Sequence, residues 1–176
     1  IAPKDGVVFT SKNLAILREL TNNLWQTPAS IRVDSITNFQ WTRADGDNII
    51  ISDLVPEGLI AEETVENVRR VALSEPLLVD SLISPNGSFT GINVTIIKPD
   101  DAIEAGNVVK EIMDFIRPIH VQLKEKHPDL DFYITGGVPL NMAFTEVSLS
   151  DMGLLTPLML LVIFLVAGFS LRSFLG

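Results

Sequence analysis

Apolar and polar positions change rhythm several times along the chain, and each change marks an expected element. A brief apolar stretch, Val7-Val8-Phe9, is followed by Leu14, Leu17, Leu20 and Leu24 at three-to-four spacing, which predicts a helix over residues 11–25. Thr27-Pro28 ends it. Residues 31–41 read as a strand, 43–48 as a polar turn and 49–54 as a second strand, its expected hairpin partner. Pro56 and Gly58 close that unit. In a second helix, over 61–74, Glu62, Glu63 and Glu66 occupy the first turns and Arg69 and Arg70 the last, an order that suits the helix dipole. Glu66 and Arg70 are placed for an i,i+4 pair worth a few tenths of a kcal/mol.

Residues 77–83 and 89–97 flank the turn sequence Ser84-Pro85-Asn86-Gly87-Ser88, which predicts another hairpin with Ile92, Val94 and Ile96 on one face. Asp100 is the expected cap of the next helix, over 101–126, whose stripe runs through Ala105, Val108, Val109, Ile112, Ile116, Ile119 and Leu123. Pro118 interrupts it. An interior proline costs about 3 kcal/mol unless the helix kinks, so a bend or break is expected near residues 116–118. Leu130, Phe132 and Ile134 alternate with Asp131, Tyr133 and Thr135 as a last strand, and Gly136-Gly137 turns the chain into a helix opening at Val138-Pro139. From 49 to 135 the order is β-α-β-β-α-β, an α+β, ferredoxin-like arrangement in which two helices cover one face of an antiparallel sheet. The preceding β-α-β element extends that sheet at the N-terminal side.

A different regime begins at Leu154. Residues 154–171 carry no charge, and Arg172 is the only ionisable side chain after Asp151. Eighteen residues of helix span about 27 Å, close to the roughly 30 Å hydrocarbon core of a bilayer. Pro157 suits the first turn of such a helix, Gly168 is tolerated within it, and with Phe174 and Leu175 the run is long enough to span with snorkelling from Arg172. Glu146 and Asp151 on one flank and Arg172 on the other orient the C-terminal end to the cytoplasm. The expected organisation is an extracytoplasmic domain over 1–137, a membrane-proximal connector over 138–153 and a transmembrane helix over 154–176, truncated. A chain that opens IAPKDG and stops four residues after Arg172 reads as a fragment of a larger membrane protein.

Charge sharpens this division. The first 153 residues hold 12 basic and 22 acidic side chains, a net charge of −10 with histidine neutral, a surface that repels nucleic acid. There is no cysteine, hence no disulfide framework and no thiolate metal site. His120 and His127, with Glu125 and Asp129 nearby, are read as surface residues rather than metal ligands, and Asp100, Asp101, Asp129 and Asp131 as capping or solvated carboxylates. Asn86-Gly87-Ser88 and Asn93-Val94-Thr95 match glycosylation acceptors, relevant only to a eukaryotic secretory pathway. No pattern suggests a catalytic triad, an enzyme or a cofactor. The candidate functional feature is the stripe Leu140, Phe144 and Val147, placed just above the membrane; the alternative is that these residues pack under the sheet.

The ordered set of features resembles the MMPL-type, hydrophobe-exporter branch of the resistance-nodulation-division superfamily. Phe9-Thr10-Ser11-Lys12-Asn13-Leu14 opens the first helix, Leu77-Leu78 precedes the Pro85-Asn86-Gly87 turn, and Tyr133-Ile134-Thr135-Gly136-Gly137-Val138-Pro139 ends a strand before the return to the bilayer. Pro157-Leu158-Met159-Leu160-Leu161 then leads into a helix closing with Leu171-Arg172-Ser173-Phe174. The resemblance implies the first porter domain and the start of the second transmembrane helix of a proton-driven exporter of lipids or other hydrophobic molecules. It places the chain in a bacterial or archaeal cytoplasmic membrane, with residues 1–153 outside. The implied partners are the bilayer, the remaining membrane helices and second porter domain of the same transporter, a hydrophobic substrate and, in a homo-oligomer, a second copy. Proton-relay carboxylates would lie on later membrane helices, since 154–171 has none. Two rival readings are a membrane-anchored sensor or binding domain and the periplasmic domain of a protein-translocation accessory subunit. Further hydrophobic spans and a second porter-like segment beyond Gly176 would separate the exporter from both.

Overall fold

The computed structural model describes residues 1–171, so the expectations resting on Arg172, Ser173, Phe174 and Leu175 lie outside the described residues. The chain divides into two compact units, Ile1–Ile134 and the segment from Thr135 onward.

The first unit is α+β. Its elements in order are β1 (Ala2–Pro3), α1 (Ser11–Leu24), β2 (Ser30–Asp34), β3 (Gln40–Asp45), β4 (Asn48–Asp53), α2 (Glu62–Ser74), β5 (Asn93–Ile96), α3 (Ala102–Lys126) and β6 (Leu130–Asp131). The strands form three two-stranded antiparallel ladders, β1 with β6, β2 with β5 and β3 with β4. The hairpin β3–β4 is in register from Gln40↔Asp53 to Asp45↔Asn48. In β2–β5 the pairing steps from Ser30↔Ile96 to Arg32↔Thr95, which leaves Ile31 as a bulge.

Local chemistry explains where strands begin and end. The expected strand over 31–41 is cut after Asp34, because side chains there take over the backbone. Asn38 Oδ1 accepts the Ser35 N–H at 2.8 Å, Asn38 Nδ2 donates to the Val33 carbonyl at 2.7 Å, and Ser35 Oγ accepts the Thr37 N–H at 3.1 Å. The turn at 84–89 forms as expected, with the Ser84 N–H donating to the Phe89 carbonyl at 3.0 Å, but its arms are not a regular hairpin. Residues 75–82 coil into tight turns, with Leu82 N–H on the Leu78 carbonyl at 2.8 Å and Asp80 at φ 62°. Val7–Phe9 is not a strand either, and the first ladder uses Ala2–Pro3 instead. Strand β4 pairs with β3 and not with the later strands, so the run from 49 to 135 does not form one continuous sheet among the described residues.

The helices follow the sequence pattern closely. Thr10 caps α1, its Oγ1 accepting the Asn13 N–H at 3.0 Å, and Leu14, Leu17 and Leu20 are buried. In α2 the Glu66 carboxylate lies 3.9 Å from Arg69 and not on Arg70, whose guanidinium donates to Asn67 Oδ1 at 2.7 Å. Asp101, not Asp100, caps α3, accepting the N–H groups of Ile103 and Glu104 at 3.0 and 2.9 Å. The expected break in α3 is absent. Pro118 and Asp114, whose carbonyl loses its partner, are both on the exposed side, so that carbonyl is open to solvent while Ile112 and Met113 before it and Ile119 after it hold the inner face. The core gathers Leu14, Leu17, Ile36, Val55, Val68 and Leu78, and a satellite cluster joins Ile16 and Leu20 to Leu130 and Phe132.

The second unit holds one helix, α4 (Gly137–Leu171), with Pro157 inside it. The connector expected over 138–153 and the membrane helix expected from 154 are therefore a single rod. Pro157 is in the interior and not in a first turn. Gly153 stands at the carbonyl Pro157 cannot engage, and no neighbouring atom crowds that position.

Candidate functional site

Helix α4 is long and apolar enough to cross a membrane, and none of its most apolar stretch is buried. Thirty-five residues make a rod of about 52 Å, against a hydrocarbon core of roughly 30 Å. The uncharged run begins at Leu154, so the first seventeen residues of α4, 137–153, form a helical extension that precedes it.

That extension carries the three expected site residues. Leu140, Phe144 and Val147 recur at four and three residues, share one face of α4, and are 57%, 66% and 58% exposed. The same face continues through Asp151 to Leu154, Leu155 and Leu158. In the sequence Asp151 reads as a flanking charge. The signal for its position was its four-residue spacing from Val147.

Other chemistry in the first unit is accounted for structurally. His120 Nε2 donates to the Phe132 carbonyl at 2.8 Å and so ties α3 to the segment after β6, while His127 is the C-cap residue of α3. Lys12 Nζ lies 2.6 Å from Asp129, and this hydrogen bond holds the Asp129 carboxyl below the usual aspartate range. No group of three or more metal-ligating side chains is assembled among the described residues.

An open cleft of about 640 Å³ lies beside the β3–β4 hairpin and α2, with Trp41 and Leu54 on its wall and Arg43, Glu57, Glu63 and Asn67 around it. The Arg43 guanidinium sits 5.0 Å from the Trp41 ring centroid, a cation–π contact that occupies the aromatic face. The sequence signal for this pair, two residues apart on one side of a strand, is too common to mark a site.

Comparison with known proteins bears on the whole chain. No curated protein and no solved structure matches it significantly. The model of the MMPL family matches residues 11–176, which takes in α1 through α4 and the apolar run together. The chain therefore belongs to the MMPL family of membrane transporters.

Proposed function

We propose that the chain is the extracytoplasmic porter domain of a proton-driven exporter of lipids or other hydrophobic molecules, joined through α4 to the membrane part of the same transporter. The observation that carries this reading is the unbroken helix from Gly137 to Leu171, whose exposed apolar stripe runs from the extension into the bilayer-length segment. A molecule leaving a leaflet along that stripe keeps apolar contact at each step and avoids the full cost of exposing its tail to water, about 0.8 kcal/mol per CH₂.

The strand pairings support a porter fold of ferredoxin-like type. The ladders β1–β6 and β2–β5 supply two of the pairings of such a sheet, with α1 linking β1 to β2 and α3 linking β5 to β6. In this reading the β3–β4 hairpin and α2 are inserted between the halves. Proton carriage belongs to other helices of the transporter, because residues 154–171 offer no ionisable group. The domain's partners are then the bilayer, those helices, a second porter domain and a hydrophobic substrate, with self-association open to measurement.

The test is Leu140→Ser combined with Phe144→Ser in the full-length transporter. Export of a fluorescent lipid should fall at least about tenfold at unchanged expression and melting temperature, the loss expected when two apolar contacts on the path are removed. Undiminished export would overturn the path, and loss of folding would assign both residues to a core.

A further inference from the structure

Asp151 interrupts an otherwise apolar face three residues before the uncharged run that begins at Leu154. It stands one turn, about 6 Å, beyond Val147 and about 4.5 Å short of Leu154. The side chain is exposed, and no hydrogen bond or ion pair engages it among the described residues. Helix stability does not account for it. Asp151 is far from both ends of α4, so it caps nothing and gains little from the dipole. Its neighbours at three and four residues are Val147, Ser148, Leu154 and Leu155, none of them a cation.

We infer that Asp151 selects substrates by head group, and that this face admits amphiphiles carrying a cationic head; the inference rests on the exporter reading above. An amphiphile in the leaflet lays its tail along Leu154, Leu155 and Leu158 and brings its head to the level of Asp151. There the medium is less polar than bulk water, so a carboxylate attracts an ammonium, and repels a sulfonate or phosphate, more strongly than on a solvated surface. Further along the extension, Val147, Phe144 and Leu140 take the tail as it leaves the bilayer.

The test uses the full-length transporter in proteoliposomes with three fluorescent amphiphiles of identical tail and an ammonium, a sulfonate or an uncharged sugar head. The unaltered protein should export the ammonium compound about tenfold better than the sulfonate. Asp151→Asn should bring that ratio towards one and Asp151→Lys should invert it, while unchanged expression and melting temperature show that the variants fold. A head-group ratio indifferent to all three residues at position 151, with export still dependent on Leu140 and Phe144, would overturn the selectivity inference alone. Export of none of the three compounds, or export that ignores Leu140 and Phe144, would overturn the exporter reading with it.

Discussion

Ser35 shows how single side chains shape the soluble unit. Fully buried, its Oγ accepts from Thr21 Oγ1 at 2.9 Å and from the Thr37 N–H at 3.1 Å, and lies 2.6 Å from Thr37 Oγ1. Ser35→Ala leaves the buried Thr37 N–H without its acceptor, while Thr21 Oγ1 keeps the Leu17 carbonyl and Thr37 Oγ1 keeps Thr21. It should cost about 1–3 kcal/mol, read as a lowered melting temperature. Ala29 is the opposite case. It is exposed at φ 57°, a left-handed conformation that costs an L-residue roughly 1–2 kcal/mol and glycine nothing. Ala29→Gly should therefore raise stability by up to about 1 kcal/mol, read as a higher melting temperature, against the usual cost of adding backbone freedom. A fall on Ala29→Gly, or no change on Ser35→Ala, would show that local geometry does not set stability at these sites.

At the scale of elements, the helices were legible because their signals are local. Leu14, Leu17 and Leu20 mark the buried stripe of α1, and its end fell within one residue of the expected one. The strands were harder to read. Strand β1 has two residues, too few to show any period, and its partner is Leu130–Asp131 at the far end of the unit. Ser35, Thr37 and Asn38 redirected a sequence that otherwise reads as one strand. Pro118 misled in the other direction, since a helix anchored on both sides of an exposed proline has no reason to break. The candidate stripe was visible as spacing, whereas Asp151 gained meaning only when α4 proved continuous across Gly153 and Pro157.

One tie between elements has a defined pH dependence. Lys12 at the start of α1 meets Asp129 just after α3, and the Asp129 carboxyl is held below its ordinary value. A depressed carboxylate contributes stability that is complete above the unfolded-state value and is lost as pH falls through the folded one. Asp129→Asn should lower the melting temperature at neutral pH and make no difference in acid below the aspartate range. An equal deficit at both pH values would assign the effect to packing.

For the whole molecule, the acidic α+β unit and the bilayer-length helix belong to one chain of a transporter family, and the side of the membrane on which the unit lies decides how it works. If the unit is outside, the stripe on α4 leads substrate away from the cytoplasm. If inside, the same stripe would serve uptake or sensing. The β3–β4 turn offers a clean reporter, because Asp47 is exposed there and the chain contains no cysteine. Asp47→Cys in an otherwise cysteine-free full-length transporter should react with a membrane-impermeant maleimide in intact cells, to the same extent as after permeabilisation. Labelling that appears only once the membrane is opened would place the unit in the cytoplasm and contradict the account.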